Sequence, residues 1–286
     1  MKFFADTASL EEIEYCFSRE VNDGITTNPS IMKTTGDLSK GFEGACKQIL
    51  SKYTQIPVSL ETDLRGIPIG EVESRAKDVK DVLLTQANAI AQWAPNVVIK
   101  IPISEGGLMA VEELYERGIK TNVTACMTPY QALQAAEAGG TYVSLFANRM
   151  LDGHVLTLAG GKLEDISGSD WKDVVKKGKE QFYEEAWRRT LGQIAYVAQA
   201  FEGTNSSLIV GSIRSPQDIA RLASCEPQII TIPTGIVKGL ENIPGIKGTK
   251  RSFIQSGNVE MGSSLVHPMT DYTLDEFEKA ADVYRN

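Results

Sequence analysis

Eight short apolar runs recur along this chain, each followed by residues with a helical or loop pattern, and this alternation limits the fold more than any other feature. The runs are Lys2–Asp6, Gly24–Asn28, Pro57–Thr62, Val97–Pro102, Lys120–Met127, Thr141–Ala147, Ser206–Ser212 and Ile229–Pro233. Near-continuous apolar, β-branched runs of this length read as strands buried on both faces, the signature of a parallel sheet. Their order excludes all-α and all-β folds, and their number points to a closed (β/α)8 barrel. An open doubly wound sheet is the structural alternative. The intervening helices carry local signals. Ser9, with Glu12 three residues on, has the capping-box pattern for a helix over Ser9–Ser18, and Arg117-Gly118 ends a helix over Gly107–Arg117.

With 286 residues the chain is long enough for one such barrel or for two smaller domains. The barrel reading makes residues 1–286 one domain, with a helical insert of about 150–205 after the sixth strand and a C-terminal extension of about 238–286. A net charge of −8 and an isoelectric point near 5.0 argue against broad nucleic-acid or anionic-membrane binding. An anionic ligand must therefore be caught by a local site. Four cysteines without a CxxC pair or disulfide-like spacing fit a reducing cytosol. No targeting segment or membrane-length apolar run is expected, which makes the expected location cytoplasmic. His154 and His267 lie far apart in sequence, so neither a zinc site nor a Ser-His-Asp triad is expected.

A lone lysine, Lys100, interrupts Val97-Val98-Ile99-Lys100-Ile101-Pro102-Ile103. A charge in a buried strand is costly without a task or a partner. Burial favours the neutral amine, the nucleophile that forms a Schiff base with a carbonyl. An edge strand whose lysine snorkels to water is the plainer alternative. The other strand ends are polar too: Asp6, Thr27 and Asn28, Glu61, Asn122 and Thr124, Ser144, and Ser212. In a barrel all of them converge on the C-terminal mouth, where active sites of this fold lie. Singly, each has a duller role: Asp6 as a helix cap, Asn28-Pro29 as a turn, Glu61 as a solvated loop residue, Thr124 bonded to a nearby carbonyl. Together they favour a site.

Arg214 follows the seventh strand in Ser212-Ile213-Arg214-Ser215-Pro216, where Ser215 suits an N-cap and Pro216 a first helical position. Arg149 follows the sixth strand. Arginines beside a helix N-terminus at this end of a barrel point to a phosphate site, although each can equally be half of a surface ion pair.

The motifs FADTAS, GITTNPSI, VSLET, VVIKIP, KTNVTA, SLFANR and GSIRSPQ, on strands one to seven, make the chain resemble the transaldolase family of Schiff-base aldolases. The resemblance runs from Phe3 to about Phe146 and resumes from Leu208 to about Pro233. It implies a (β/α)8 barrel and transfer of a dihydroxyacetone unit between sugar phosphates such as fructose 6-phosphate and sedoheptulose 7-phosphate. Lys100 is then the Schiff-base residue, Asp6 the acid/base at the C4 hydroxyl, and Glu61 with Thr124 the pair that holds a proton-transferring water. Asn28, Asn122 and Ser144, with Thr27 beside them, match contacts to the dihydroxyacetone unit. Phe146 matches a pocket aromatic, and Arg149, Ser212 and Arg214 match the phosphate site. No metal or organic cofactor is implied, because a protonated imine is itself the electron sink. The expected partners are small sugar phosphates, with neither nucleic acid nor membrane, and a homo-oligomer is the expected state.

Related fructose-6-phosphate aldolases carry glutamine and tyrosine where this chain has Glu61 and Phe146. A tyrosine hydroxyl can protonate the enamine and release dihydroxyacetone, whereas phenylalanine cannot, so transfer is favoured over cleavage. A Schiff-base aldolase or transaldolase acting on a modified, for example sulfonated, sugar is the alternative, and a non-catalytic barrel a remote one. The chain also departs from the family. Leu145 replaces a usual proline, and Met127-Thr128-Pro129-Tyr130 replaces a more aromatic segment. The stretch from Arg149 to Arg214 is longer than in the small transaldolases. Within it, 170–202 reads as one long helix with Trp171, Val174, Val175, Phe182, Trp187, Leu191, Ile194 and Ala198 on a broad face, covering the barrel or meeting another subunit. Lys238–Gly262, rich in glycine and serine, is expected to form a loop over or near the mouth.

Overall fold

The computed structural model describes residues 1–167, 170–241, 243–249 and 259–285. Eight parallel strands close on themselves in sequence order: β1 (Lys2–Asp6), β2 (Gly24–Thr26), β3 (Val58–Glu61), β4 (Val97–Pro102), β5 (Thr121–Cys126), β6 (Tyr142–Phe146), β7 (Ser207–Gly211) and β8 (Ile229–Pro233). The seam pairs Lys2 with Ile229 and Asp6 with Pro233. This is the expected (β/α)8 barrel. β1, β4 and β8 have the expected limits. β2 stops at Thr26; Thr27 N–H still donates to the Ser59 carbonyl of β3 at 3.1 Å, and Asn28 turns away as the cap of the next helix.

The helices, in chain order, are α1 (Leu10–Ser18), α2 (Pro29–Thr35), α3 (Gly41–Lys52), α4 (Ala76–Ala91), α5 (Glu105–Glu116), α6 (Pro129–Glu137), α7 (Ala147–Leu158), α8 (Trp171–Ala200), α9 (Pro216–Ala223), α10 (Thr234–Val237), α11 (Ile243–Lys247) and α12 (Pro268–Arg285). Three begin by the same device at the mouth. Asn28, Thr128 and Ser215 accept a backbone N–H with the side chain, and a proline fills the first helical position. At α9 the cap is reciprocal with Asp218. The capping box expected at α1 forms only by half. Ser9 accepts from the Glu12 N–H at 3.4 Å, but the Glu12 carboxylate instead takes hydrogen bonds from the Thr7 and Thr234 hydroxyls.

Strand alternation fills the barrel in layers. Phe4, Ile209 and Ile229 form an apolar plug at the base, with Tyr142 meeting Phe4 edge-on at a centroid distance of 6.0 Å. Gly24 makes this possible, because a Cβ there would lie 2.6 Å from the Phe4 ring. Above the plug the interior turns polar, with Thr26, Ser59, Asn122, Ser144 and Thr231 all buried. The main apolar core lies between the strands and the surrounding helices.

The long helix expected after the sixth strand is α8, which packs chiefly against α7 and also touches α6 and β7. Trp171, Val175, Trp187, Ile194 and Ala198 of its expected face are buried, whereas Val174, Phe182 and Leu191 are half-buried. Of the loop expected over Lys238–Gly262, residues 242 and 250–258 lie outside the described residues. α11 occupies part of the remainder, and 259–262 lies against the start of α6, where Tyr130 N–H donates to the Met261 carbonyl at 2.8 Å. No helix among the described residues is long and apolar enough to cross a membrane.

Candidate active site

Register sets the heart of the site. Glu61 pairs with Lys100 across β3 and β4, and Lys100 with Asn122 across β4 and β5. Three side chains of one interior level thus stand side by side. Lys100 is buried, its Nζ 2.8 Å from Glu61 Oε2 and donating to the Thr27 carbonyl at 3.0 Å. Burial pushes the Glu61 carboxyl up to about 7, against the opposing pull of the Lys100 charge. Across the barrel, Asp6 accepts from the Thr26 hydroxyl at 2.6 Å, and Thr26 in turn contacts Thr231. Burial raises the Asp6 carboxyl above its ordinary range, although the Thr26 hydrogen bond and the Lys100 charge work against it.

A cavity of about 550 Å³ opens at this mouth, and Asp6, Asn28, Lys100, Ser144, Phe146 and Arg149 are in its wall, with Ser212 beside them. Asn28 uses its Oδ1 to cap α2, accepting from Ile31 N–H at 2.8 Å. Asn122 is fully buried beneath the wall, donating to Ser59 at 3.2 Å and accepting from the Ser144 hydroxyl at 2.7 Å, so it orients Ser144. The Thr27 hydroxyl is turned away, donating to the Ser59 carbonyl at 3.0 Å; this residue contributes its carbonyl to Lys100 rather than its side chain to the cavity. Thr124 is fully buried, and its hydroxyl finds no hydrogen-bond partner among the described residues. A register shift between Val123 and Cys126, with Ala125 at φ 62°, bends β5 at that point. Ser212 is also left-handed, at φ 60°, with its carbonyl held by Asn148 Nδ2 at 2.8 Å.

The two arginines hold different carboxylates, though both line one cleft beside the mouth. Arg149 borders the mouth cavity, packs 4.8 Å from the Tyr272 ring centroid and pairs with Glu276. Arg214 faces a neighbouring cleft and holds Asp152 at 2.7 Å, because that buried carboxylate is its nearest counter-charge. The N-terminus of α9, read as an anion seat, is already served by Asp218, which accepts from the Arg214 and Ser215 N–H groups at 2.9 and 3.0 Å.

Sequence reading missed α12, the helix that crosses the mouth. Near its start Thr270 donates to the Ala125 carbonyl of β5 at 2.9 Å. Near its end Glu278 accepts from Leu64 N–H at 2.7 Å, and Arg285 holds Asp63 at 3.2 Å, both just beyond β3. Between these pins α12 passes over β4. Phe277 lies with its ring centroid 6.0 Å from Lys100 Nζ and 6.4 Å from that of Phe146. A larger cavity of about 710 Å³ lies on the far side of Glu61, against Trp93 and Tyr284, but it lacks Lys100 and Asp6. The smaller one holds a buried amine, the Asp6 carboxyl of raised pKa and hydroxyl and amide groups, while Glu61, lining the larger cavity, reaches the Lys100 amine from behind; together they fit proton-coupled attack on a carbonyl.

Comparison with known proteins finds similarity along nearly the whole chain. The family model described as transaldolase/fructose-6-phosphate aldolase matches residues 3–284. Three relatives described as probable transaldolases illustrate the similarity. One from Citrifermentans bemidjiense is 32% identical over 258 residues, spanning 89% of this chain and 97% of its own length. One from Streptococcus agalactiae is 31% identical over 288 residues, 100% and 99% of the two chains. One from Syntrophobacter fumaroxidans is 34% identical over 249 residues, 85% and 90%.

Proposed function

The chain belongs to the transaldolase/fructose-6-phosphate aldolase family, and from that premise we propose that it is a transaldolase: it moves a dihydroxyacetone unit from a ketose phosphate to an aldose phosphate through a Schiff base on Lys100. The single observation that carries the reading is the buried Lys100–Glu61 pair at 2.8 Å, with Lys100 and Asp6 both in the wall of the mouth cavity.

The Lys100 amine attacks the ketose C2 carbonyl, and loss of water leaves a protonated imine. Glu61, with a carboxyl at about 7, exchanges protons near neutrality and serves both addition of the amine and departure of water, with Thr124 as the second hold on that water. Asp6 takes the proton of the C4 hydroxyl as the C3–C4 bond breaks, and the imine stores the electron pair as an enamine. Thr26 steadies the Asp6 carboxylate by its 2.6 Å hydrogen bond. Asn28 and Ser144, the latter oriented by Asn122, hold the dihydroxyacetone hydroxyls. Phe146 offers no proton to the enamine, which therefore waits for an aldehyde acceptor. Arg149, Ser212 and Arg214 bind the phosphorylated end, once the arginines exchange their carboxylate partners for it. In this reading residues 1–286 form one barrel domain.

Borohydride reduction in the presence of fructose 6-phosphate tests the proposal directly. The adduct is expected on Lys100 by mass mapping, and Lys100→Met should abolish both adduct and transfer. Lys100→Arg should not rescue, since a guanidinium stays protonated. An adduct mapping to another lysine overturns the assignment.

A further inference from the structure

The proposed reaction gives no task to Phe277, a buried side chain of α12 in the wall of the mouth cavity. Met269, Thr273, Phe277 and Ala281 form one buried face of that helix, and of these four Phe277 is the one in the cavity wall. The bonds that pin α12 to β5 and to the loop beyond β3 fall on either side of it, so its position is fixed from both directions.

Anchoring the helix would ask only for an apolar side chain here, but the Phe277 ring faces the reacting amine. Around Lys100 Nζ stand Glu61 Oε2 at 2.8 Å, the Thr27 carbonyl at 3.0 Å and the face of the Phe277 ring, its centroid at 6.0 Å. The ring thus lies over the atom that becomes the imine nitrogen. Its centroid is 6.4 Å from that of Phe146, and the two planes are tilted by 60°. Together the two rings make an apolar corner in a cavity whose other walls include Asp6, Asn28 and Ser144.

Once the C3–C4 bond has broken, the enamine has two fates. Its C3 can attack an acceptor aldehyde, whose oxygen takes up a proton, and hydrolysis of the new imine then frees the product ketose. Alternatively, C3 takes a proton from water to give the imine of dihydroxyacetone. The hydroxide left behind adds at C2, and collapse of that adduct breaks the C2–N bond, freeing dihydroxyacetone and the Lys100 amine. Both routes need water at C2, and only the second needs it at C3. Glu61 reaches the amine from the larger cavity, behind Lys100. C3, next to the C4 hydroxyl that Asp6 handles, belongs to the mouth side, where the two rings stand.

We propose that Phe277 is a specificity-determining residue: with Phe146 it keeps water from C3 of the enamine, and so directs the dihydroxyacetone unit to an aldehyde acceptor instead of to release. The inference rests on the transaldolase reading and separates the roles of the two rings. Phe146 brings no proton donor of its own, and Phe277 bars the one that solvent would bring.

The ratio of dihydroxyacetone released to dihydroxyacetone transferred, from fructose 6-phosphate to erythrose 4-phosphate, measures this in the whole chain. Phe277→Leu and Phe277→Met keep an apolar side chain on the buried face but remove the ring. Each should raise the ratio about tenfold, with borohydride trapping still on Lys100. Met269→Ala hollows the same face outside the cavity wall, so it should lower the Tm and leave the ratio unmoved. An unchanged ratio in both Phe277 variants, or an equal rise in Met269→Ala, overturns the proposal. Failure of the transaldolase reading would show separately, as wild-type protein that forms no adduct on Lys100.

Discussion

Glu276 occupies the arginine that the substrate's phosphate is proposed to need, so relieving it should tighten one class of substrate and no other. In the resting arrangement Arg149 pairs with Glu276, which also accepts from the Tyr272 hydroxyl. Burial raises the Glu276 carboxyl, but these two hydrogen bonds overcome it and hold the group below its ordinary range. A phosphorylated sugar must displace that carboxylate. The pair lies between regimes, with side chains 17% and 38% exposed. A buried charge-assisted bond contributes about 1.5–3 kcal/mol and an exposed pair about 0.2–1 kcal/mol, so a competition of about 1 kcal/mol is reasonable. That corresponds to roughly fivefold in an apparent affinity. Glu276→Gln, which keeps the volume of the side chain and an acceptor for Tyr272, should therefore lower the KM for fructose 6-phosphate about fivefold. The KM for unphosphorylated fructose or dihydroxyacetone donors should stay where it is. Parallel steady-state assays on the phosphorylated and unphosphorylated ketose measure this. An equal change on both, or a higher KM for the phosphate ester, would refute the reasoning and leave Glu276 as a strut of α12.

Other expectations follow from single contacts. Asp6→Asn should still form the borohydride-trappable adduct yet lower kcat by about 10²–10⁴, and wild-type turnover would end its assignment as the acid/base. With Glu61 as the base that must first be deprotonated, turnover should rise with pH through about 7, and Glu61→Gln should remove that limb from the pH profile; a limb that survives belongs to another group. Gly24→Ala drives a methyl to 2.6 Å from the Phe4 ring and should destabilise the barrel. About 1–3 kcal/mol of overpacking corresponds to a fall of several degrees in Tm, and an unmoved Tm would mean the plug repacks freely.

The strands and the residues at their ends were legible because both rest on local chemistry. A β-branched run with one lysine, and a polar side chain where each run stops, are written into neighbouring residues. Two matters were not. The direction of Arg214 depends on buried Asp152, more than sixty residues upstream, and position on a strand end says nothing of such a partner. The docking of α12 was hidden for a related reason. Met269, Thr273, Phe277 and Ala281, four residues apart and all buried, imply a helix that hides one face, but the pattern carries no information about which surface receives it. Thr27 shows a smaller version: its hydroxyl was within reach of two fates, and the Ser59 carbonyl took it.

The seam between β1 and β8 has a consequence for how the molecule is made. Thr231, at the far end of the hydroxyl chain from Asp6, leaves the ribosome more than two hundred residues after it. At about 5–20 residues per second that delay is on the order of ten to forty-five seconds. Throughout it Phe3 and Phe4, both buried in the finished barrel, sit on a strand with one edge unpaired. An apolar strand waiting that long is an invitation to pair with another nascent chain. Chaperone demand during synthesis should therefore concentrate on β1, and permuting the chain to begin within a helical connection far from this seam should move that demand to the new first strand.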